Sequence, residues 1–299
     1  YHLWLPSPVS LLFIMMTGFF ILLLALKVRW PLAVLGAIAY TFSSYFFILI
    51  EAGHLWKFIT LAYIPPTIAG IILAYRGKYL QGCALTALFA TLQITSNHMQ
   101  MTYYFLFVIL AIVITFFIDS YRKKQLGNFS KATGVLVIAG IIAIAANLPS
   151  LYNTYQYSKE TMRGGHSELT SSDNNNQTVS NGGLEKEYIT QWSYGIGETW
   201  SLLIPNVKGG ASGALAQNKT ARKAASPQMQ PILNQVNSYW GNQPFTSGPV
   251  YVGAFIMMLF VLGCFIVKSS FKWALLAATI LSVLLSWGHN FMLLSDLFI

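Results

Sequence analysis

The chain has 299 residues, of which 55% are hydrophobic and only 9% charged, with a formal net charge of +9. So few charges cannot cover a soluble globule of this length, which excludes an ordinary cytosolic enzyme and points to an integral membrane protein. The basic surplus does not indicate nucleic acid: most Lys and Arg residues sit in short turns between apolar stretches, where they read as topology determinants facing anionic headgroups.

A helix rises 1.5 Å per residue and the hydrocarbon core is about 30 Å thick, so roughly 20 apolar residues span it. On that basis eight spans are predicted, at Val9 to Leu26, Pro31 to Ile50, Phe58 to Ala74, Leu80 to Ile94, Met101 to Ile118, Ala132 to Leu148, Pro249 to Val267 and Trp273 to Trp287. The expected fold class is an all-α integral membrane protein, a polytopic helical bundle with a long extracytoplasmic loop region. Residues 1–148 would form spans one to six, 149–247 the loop or lid, and 248–299 spans seven and eight. Lys27 and Arg29, Arg76 and Lys78, Arg122 to Lys131, and Lys268 with Lys272 mark alternate turns as cytoplasmic by the positive-inside rule. The chain starts without Met in an aromatic segment and stops just after a polar turn, so it reads as a fragment of a longer polytopic protein.

Pro65-Pro66 should interrupt and kink the third span. Cys83 and Cys264 fall in apolar spans and read as buried free thiols. Within the long loop, Ser167 to Gly183 and Gly209 to Ala225 read as mobile patches, and the sequons at Asn176 and Asn218 are weak signals. The aromatic runs Tyr188 to Trp200 and Tyr239 to Phe245 read as interfacial pieces roofing the bundle.

Polar clusters gather at the outer ends of spans. Glu51, His54 and Lys57 are three apart, so a helical segment would put an acid, an imidazole and a cation on one face. Such a set can hold an anionic phosphate and accept a proton, while a solvated turn would carry the same residue types. Asn97, His98 and Gln100, with Tyr104 at helical spacing from Gln100, form the second cluster, placed to converge with the first. Two histidines with Glu51 also admit a metal reading, although no local spacing of ligands supports it, so a divalent metal is not indicated. Trp287-Gly-His289-Asn290 with Ser295 and Asp296 is the third cluster and Glu198 the fourth; helix capping is the ordinary reading of His289 and solvation that of Glu198.

The segments Glu51-Ala-Gly-His54 with Lys57, Ser96 to Gln100 with Tyr103-Tyr104, Tyr194 to Trp200, Leu203 to Gly210 and Tyr239 to Phe245 together resemble the YfhO family of bacterial membrane proteins, in a Bacteroidetes-like form. The resemblance implies a GT-C-like glycosyltransferase of the bacterial cytoplasmic membrane, acting on the extracytoplasmic side. Such an enzyme moves a sugar from a polyprenyl-phosphate carrier to an envelope glycan or lipid acceptor, and its principal carboxylate would lie upstream of Tyr1. Glu51 and His54 are then the catalytic candidates, and Lys57, Asn97, His98, Gln100, Tyr104 and Glu198 the substrate-binding ones. A transporter or lipid-linked sugar flippase is the alternative expectation, and a non-enzymatic envelope-assembly scaffold a further one.

Overall fold

The structure, a computed structural model, describes residues 6–159 and 186–297. The expected mobile patch at Ser167 to Gly183 and the Asn176 sequon lie outside the described residues. The chain is mostly helical, and its helices run α1 (Val9–Ala25), α2 (Trp30–Thr41), α3 (Ser44–Glu51), α4 (Leu55–Tyr75), α5 (Tyr79–Thr95), α6 (Met99–Arg122), α7 (Leu126–Ala146) and α8 (Leu148–Lys159). Next come α9 (Lys186–Thr190), β1 (Gly209–Ala214), α10 (Lys219–Ala224), β2 (Asn237–Tyr239), α11 (Ala254–Ile266), α12 (Phe271–Ser286) and α13 (Met292–Ser295).

Each predicted span is helical, but eight crossings is an overcount. Among the described residues three helices are long and apolar enough to cross a membrane, α4, α6 and α7, or five if each of two bent pairs counts as one span. The pair α2 and α3 bends by 42°, and α12 turns by 114° into the segment Gly288–Ser295. The physical reason is length: α1 has 17 residues and α11 has 13, which at 1.5 Å per residue reach only about 25 and 20 Å. Helix α5 also has 17 residues, and Gln81, Thr86, Thr91 and Gln93 dilute its apolar character. By composition and length, the chain is a mostly α-helical membrane protein with three to five spanning elements among the described residues.

The chain divides into two compact units, one built from residues up to 37 with 59–159 and 186–191, the other from 38–58 with 192–297. In the first unit α4 is the core helix: Ala62, Tyr63, Ala69, Ile71, Ile72 and Ala74 are buried. Pro65 and Pro66 do not interrupt it, since the helix runs unbroken through both. Thr67 donates its hydroxyl to the Tyr63 carbonyl at 2.8 Å. Gly18 of α1 leaves room for the Pro66 ring, because a Cβ there would lie 2.9 Å from Pro66 Cδ and 2.8 Å from the Ala62 carbonyl oxygen. The missing Cβ thus lets α1 pack against the stretch where the prolines remove backbone donors.

Helices α4 and α5 meet through small residues at four-residue spacing, Gly70 and Ala74 against Gly82 and Thr86. Helix α5 packs on α7, and Asn147 stitches the two together. Its amide donates to the carbonyls of Thr91 at 3.1 Å and Ala143 at 2.9 Å, and its oxygen accepts from Thr95 at 2.9 Å. By contrast α6 and α7 leave Leu106, Leu110, Ile114, Val137, Ile138 and Ile141 exposed, the outward apolar faces that lipid requires.

A single backbone device ends five of the helices. Lys27, Gly53, Gly77, Asn97 and Lys124 all take positive φ just past a C-terminus. At Gly53 the His54 amide donates to Leu49 at 2.8 Å and the Gly53 amide to Ile50 at 3.1 Å, the paired bonds of a Schellman cap. Basic residues also close helix ends: the Arg76 guanidinium donates to the Ala25 carbonyl, and Lys272 Nζ donates to the Cys264 carbonyl at 2.8 Å. Cys83 and Cys264 are free thiols but only half-buried, short of the full burial expected.

In the second unit, Gly209 to Ala225 is not a featureless patch, since it carries β1, a 3-10 turn at Leu215–Gln217 and α10. Strands β1 and β2 pair antiparallel with an irregularity between Gly209↔Tyr239 and Ala214↔Asn237. Gly209 has φ 89 and a Cβ there would lie 2.0 Å from the Ser238 carbonyl oxygen, so only glycine permits the pairing. Ser238 replaces ladder bonds by donating to Ala211 at 2.5 Å and Gly213 at 3.1 Å.

Candidate functional site

The second unit holds a cavity of about 780 Å³. Its wall is assembled from the end of α3 and start of α4, the run from Trp192 to Gly209, and the run from Tyr239 to Val250. Ser44 at the start of α3 fixes one seam: its hydroxyl donates to the Tyr251 carbonyl at 2.9 Å and accepts from the Tyr251 amide at 2.8 Å.

His54, Lys57 and Glu198 line this cavity. The one-face geometry expected for Glu51, His54 and Lys57 does not exist. Helix α3 stops at Glu51 and turns through Gly53 at φ 72 before α4 begins. Glu51 is exposed at the end of α3 and outside the lining, while His54 and Lys57 sit at the entry to α4. Lys57 Nζ lies 5.7 Å from the Tyr45 ring centroid, a cation over an aromatic face.

Asn97, His98, Gln100 and Tyr104 belong to the first unit. There Asn97 adopts φ 53 in the turn after α5, a conformation asparagine tolerates, and its side-chain oxygen accepts from Thr154 at 3.4 Å. His98 is the N-cap of α6, with Nδ1 accepting from the Met101 amide at 3.4 Å. Gln100 donates to the Tyr104 hydroxyl one turn on, at 3.3 Å. Among the described residues no group of three or more His, Cys, Asp and Glu comes together to hold a metal.

Glu198 is not a solvated side chain; it is 4% exposed. Its carboxylate is buried in the cavity wall and held by donors. Oε1 accepts from the Tyr239 hydroxyl at 2.5 Å, and Oε2 from the amides of Gly195 at 2.7 Å and Asn242 at 3.0 Å. The glycines there are required by closeness, since a Cβ on Gly241 would lie 2.1 Å from both Glu198 Oε1 and the Tyr239 oxygen. Tyr239 in turn accepts from the Gln243 amide at 3.0 Å. Burial first, and then the bond to Glu198, raise the Tyr239 phenol well above the usual tyrosine range.

The neighbouring Tyr194 is tied in as well. Ser201 donates to the Glu198 carbonyl at 2.6 Å, so the 2.6 Å bond between Tyr194 and Ser201 has Tyr194 as donor. Burial dominates in raising the Tyr194 phenol above its ordinary value. The bend after α12 anchors the same wall: Tyr194 donates its amide to Ser286 at 2.7 Å, His289 its amide to Ser193 at 2.8 Å, and Trp287 its indole N–H to Thr199 at 2.8 Å. Asn290 donates to the Tyr194 carbonyl at 3.1 Å. The third cluster is therefore a brace for the cavity wall.

Sequence reasoning passed over Lys208, which lines the cavity with its stem over Gly197; a Cβ on Gly197 would lie 3.1 Å from Lys208 Cε. It also passed over the Trp192–Phe245 pair, two exposed lining rings with centroids 4.5 Å apart and nearly perpendicular. With the Glu198 oxygens occupied by donors, the charges available to a ligand are the cationic groups of Lys57 and Lys208, with His54 beside them. Such a chamber suits an anion carrying a ring or other flat apolar face.

A second cavity, of about 340 Å³, lies in the first unit among α4, α5, α6 and α7. Its lining is apolar apart from side chains such as Thr67, Thr86, Gln93 and Thr133. Comparison with family models, curated proteins and solved structures gives no match for this chain.

Proposed function

We propose that the chain acts in membrane glycosyl transfer, moving a sugar from a polyprenyl-phosphate carrier to a cell-envelope acceptor on the extracytoplasmic side of a bacterial inner membrane. The observation that carries this reading is the cavity of the second unit, where Lys57, Lys208 and His54 share one chamber with the Trp192 and Phe245 rings. A departing phosphate gains negative charge as the glycosidic bond breaks, and pre-placed cations stabilise it most in a partly desolvated chamber. Aromatic faces hold the apolar C–H faces of a sugar ring beside it. In this reading Lys57 and Lys208 hold the phosphate, and His54 is the lining group suited to take the acceptor hydroxyl's proton. The YfhO-like reading of the polar and aromatic segments is part of the same proposal.

A transporter or flippase of lipid-linked sugar is the second reading, supported by the two bent helix pairs, since broken helices are common at transporter binding sites. One assay separates the two. The full-length protein in liposomes is given labelled polyprenyl-phosphate sugar and an envelope acceptor, beside the Lys57→Ala variant. Label transferred by wild type and reduced at least tenfold in the variant supports the enzyme. Lipid movement across the bilayer without transfer supports the flippase, and neither event rejects both.

A further inference from the structure

Among the described residues Glu198 is the only carboxylate of the cavity wall, and its chemistry there is that of a fastener. Both oxygens are occupied by donors from three separate places: Gly195 one turn earlier, Tyr239 at the end of β2, and Asn242 in the following turn. The Tyr239 side of this arrangement leads to Lys208 through the backbone. Tyr239 pairs across the ladder with Gly209, and the Trp240 amide donates to the Lys208 carbonyl at 2.9 Å, so fixing β2 fixes the backbone of Lys208. Gly197, adjacent to Glu198 in the same 3-10 turn, forms the floor under the Lys208 stem. The Lys208 ammonium makes no hydrogen bond or ion pair among the described residues.

We propose that Glu198 is a positioning residue that acts through the Tyr239 hydroxyl and the Gly197 floor to aim Lys208 into the cavity, where Lys208 receives a phosphate-class anion. The anion's identity as a lipid phosphate rests on the glycosyltransferase reading; the coupling of Glu198 to Lys208 does not. A carboxylate that touched ligand directly would repel this anion, whereas one locked behind three donors organises the cation that attracts it.

The test is a double-mutant cycle on the full-length protein in nanodiscs, with binding of a short-chain polyprenyl phosphate and, separately, of inorganic pyrophosphate as readouts. Lys208→Met is expected to weaken binding about tenfold and Glu198→Gln about fivefold, the glutamine keeping the shape while losing the charge that organises the donors. The double variant is expected to bind no more weakly than Lys208→Met alone, because the effect of Glu198 passes through Lys208. Glu198→Asp, too short to span the same donors, should behave as Glu198→Gln, and Tyr239→Phe should reproduce part of the loss. Additive losses in the cycle, which would mark a merely structural role, overturn the proposal, as does a Glu198→Gln variant that binds as wild type. Wild type binding neither probe overturns it also. Binding with a non-additive cycle but no sugar transfer would sustain the coupling and reject the enzyme.

Discussion

Replacing Gly82 by alanine tests the packing of the membrane core. A Cβ at Gly82 would lie 2.5 Å from the Ala74 backbone nitrogen and 2.7 Å from the Gly70 carbonyl oxygen, both on α4. These are backbone atoms of an adjacent helix, so no side-chain rotation relieves the clash, and α4 and α5 must part by about 1 Å to restore ordinary contact. Overpacking of this kind costs about 1–3 kcal/mol, or roughly a 5- to 150-fold drop in the folded-to-unfolded ratio. The fitting control is Gly134→Ala in α7, where an added Cβ meets no atom within 4 Å. There alanine should stabilise by about 0.5–1 kcal/mol through helix propensity. Reversible unfolding in mixed micelles at increasing denaturing detergent reads both. Similar midpoints for Gly82→Ala and Gly134→Ala would refute the close approach of α4 and α5.

Asn147→Ala removes the amide that joins α5 to α7 and is expected to cost about 1–2 kcal/mol, seen as a lower midpoint in the same detergent titration. Gly53→Ala meets no steric neighbour but sits at φ 72, so its cost is the left-handed backbone alone, about 1–2 kcal/mol, and Gly53→Asn should recover part of it in thermal melts. The Tyr239 phenol is held protonated above its ordinary range in the fold, while an unfolded tyrosine ionises near pH 10. Its contribution is therefore complete below about pH 10 and lost as pH rises beyond it. Denaturation at roughly pH 9 and pH 11 should show a slope in wild type that is shallower in Tyr239→Phe.

The helices were legible in the sequence because hydropathy marks them directly, and all eight apolar stretches do form helix. Their crossings were not, for identifiable reasons. The break between α2 and α3 contains no Gly or Pro; it rests on Ser43 taking an extended conformation, φ −66 and ψ 147, as the α3 N-cap, and an apolar run on both sides hides it. Pro65-Pro66 carried the opposite lesson, since the residue type signals a break, yet the helix runs through both prolines with Gly18 leaving room for the Pro66 ring. At the site, His54, Lys57 and Glu198 were legible as residues, whereas the burial of Glu198 depends on Tyr239 and Asn242, more than forty positions away. Lys208 was hidden because a lysine in a Gly-rich, polar run looks like any solvated charge; its position is set by the strand pairing of Gly-Gly-Ala-Ser-Gly-Ala, a segment without β-forming side chains. Asn97 and His98, which residue type alone recommends as ligands, have backbone roles in a turn and an N-cap.

Whether the chamber of the second unit receives a lipid-linked sugar is tested most directly by photo-crosslinking the full-length protein in native-like membranes, using a polyprenyl phosphate sugar with a photoreactive group on the sugar. Label is expected on peptides containing Trp192, Lys208 or Phe245, reduced by excess unlabelled carrier and by Lys57→Ala. Label confined to α6 and α7, or label at the cavity that excess carrier leaves unchanged, would contradict the proposed function.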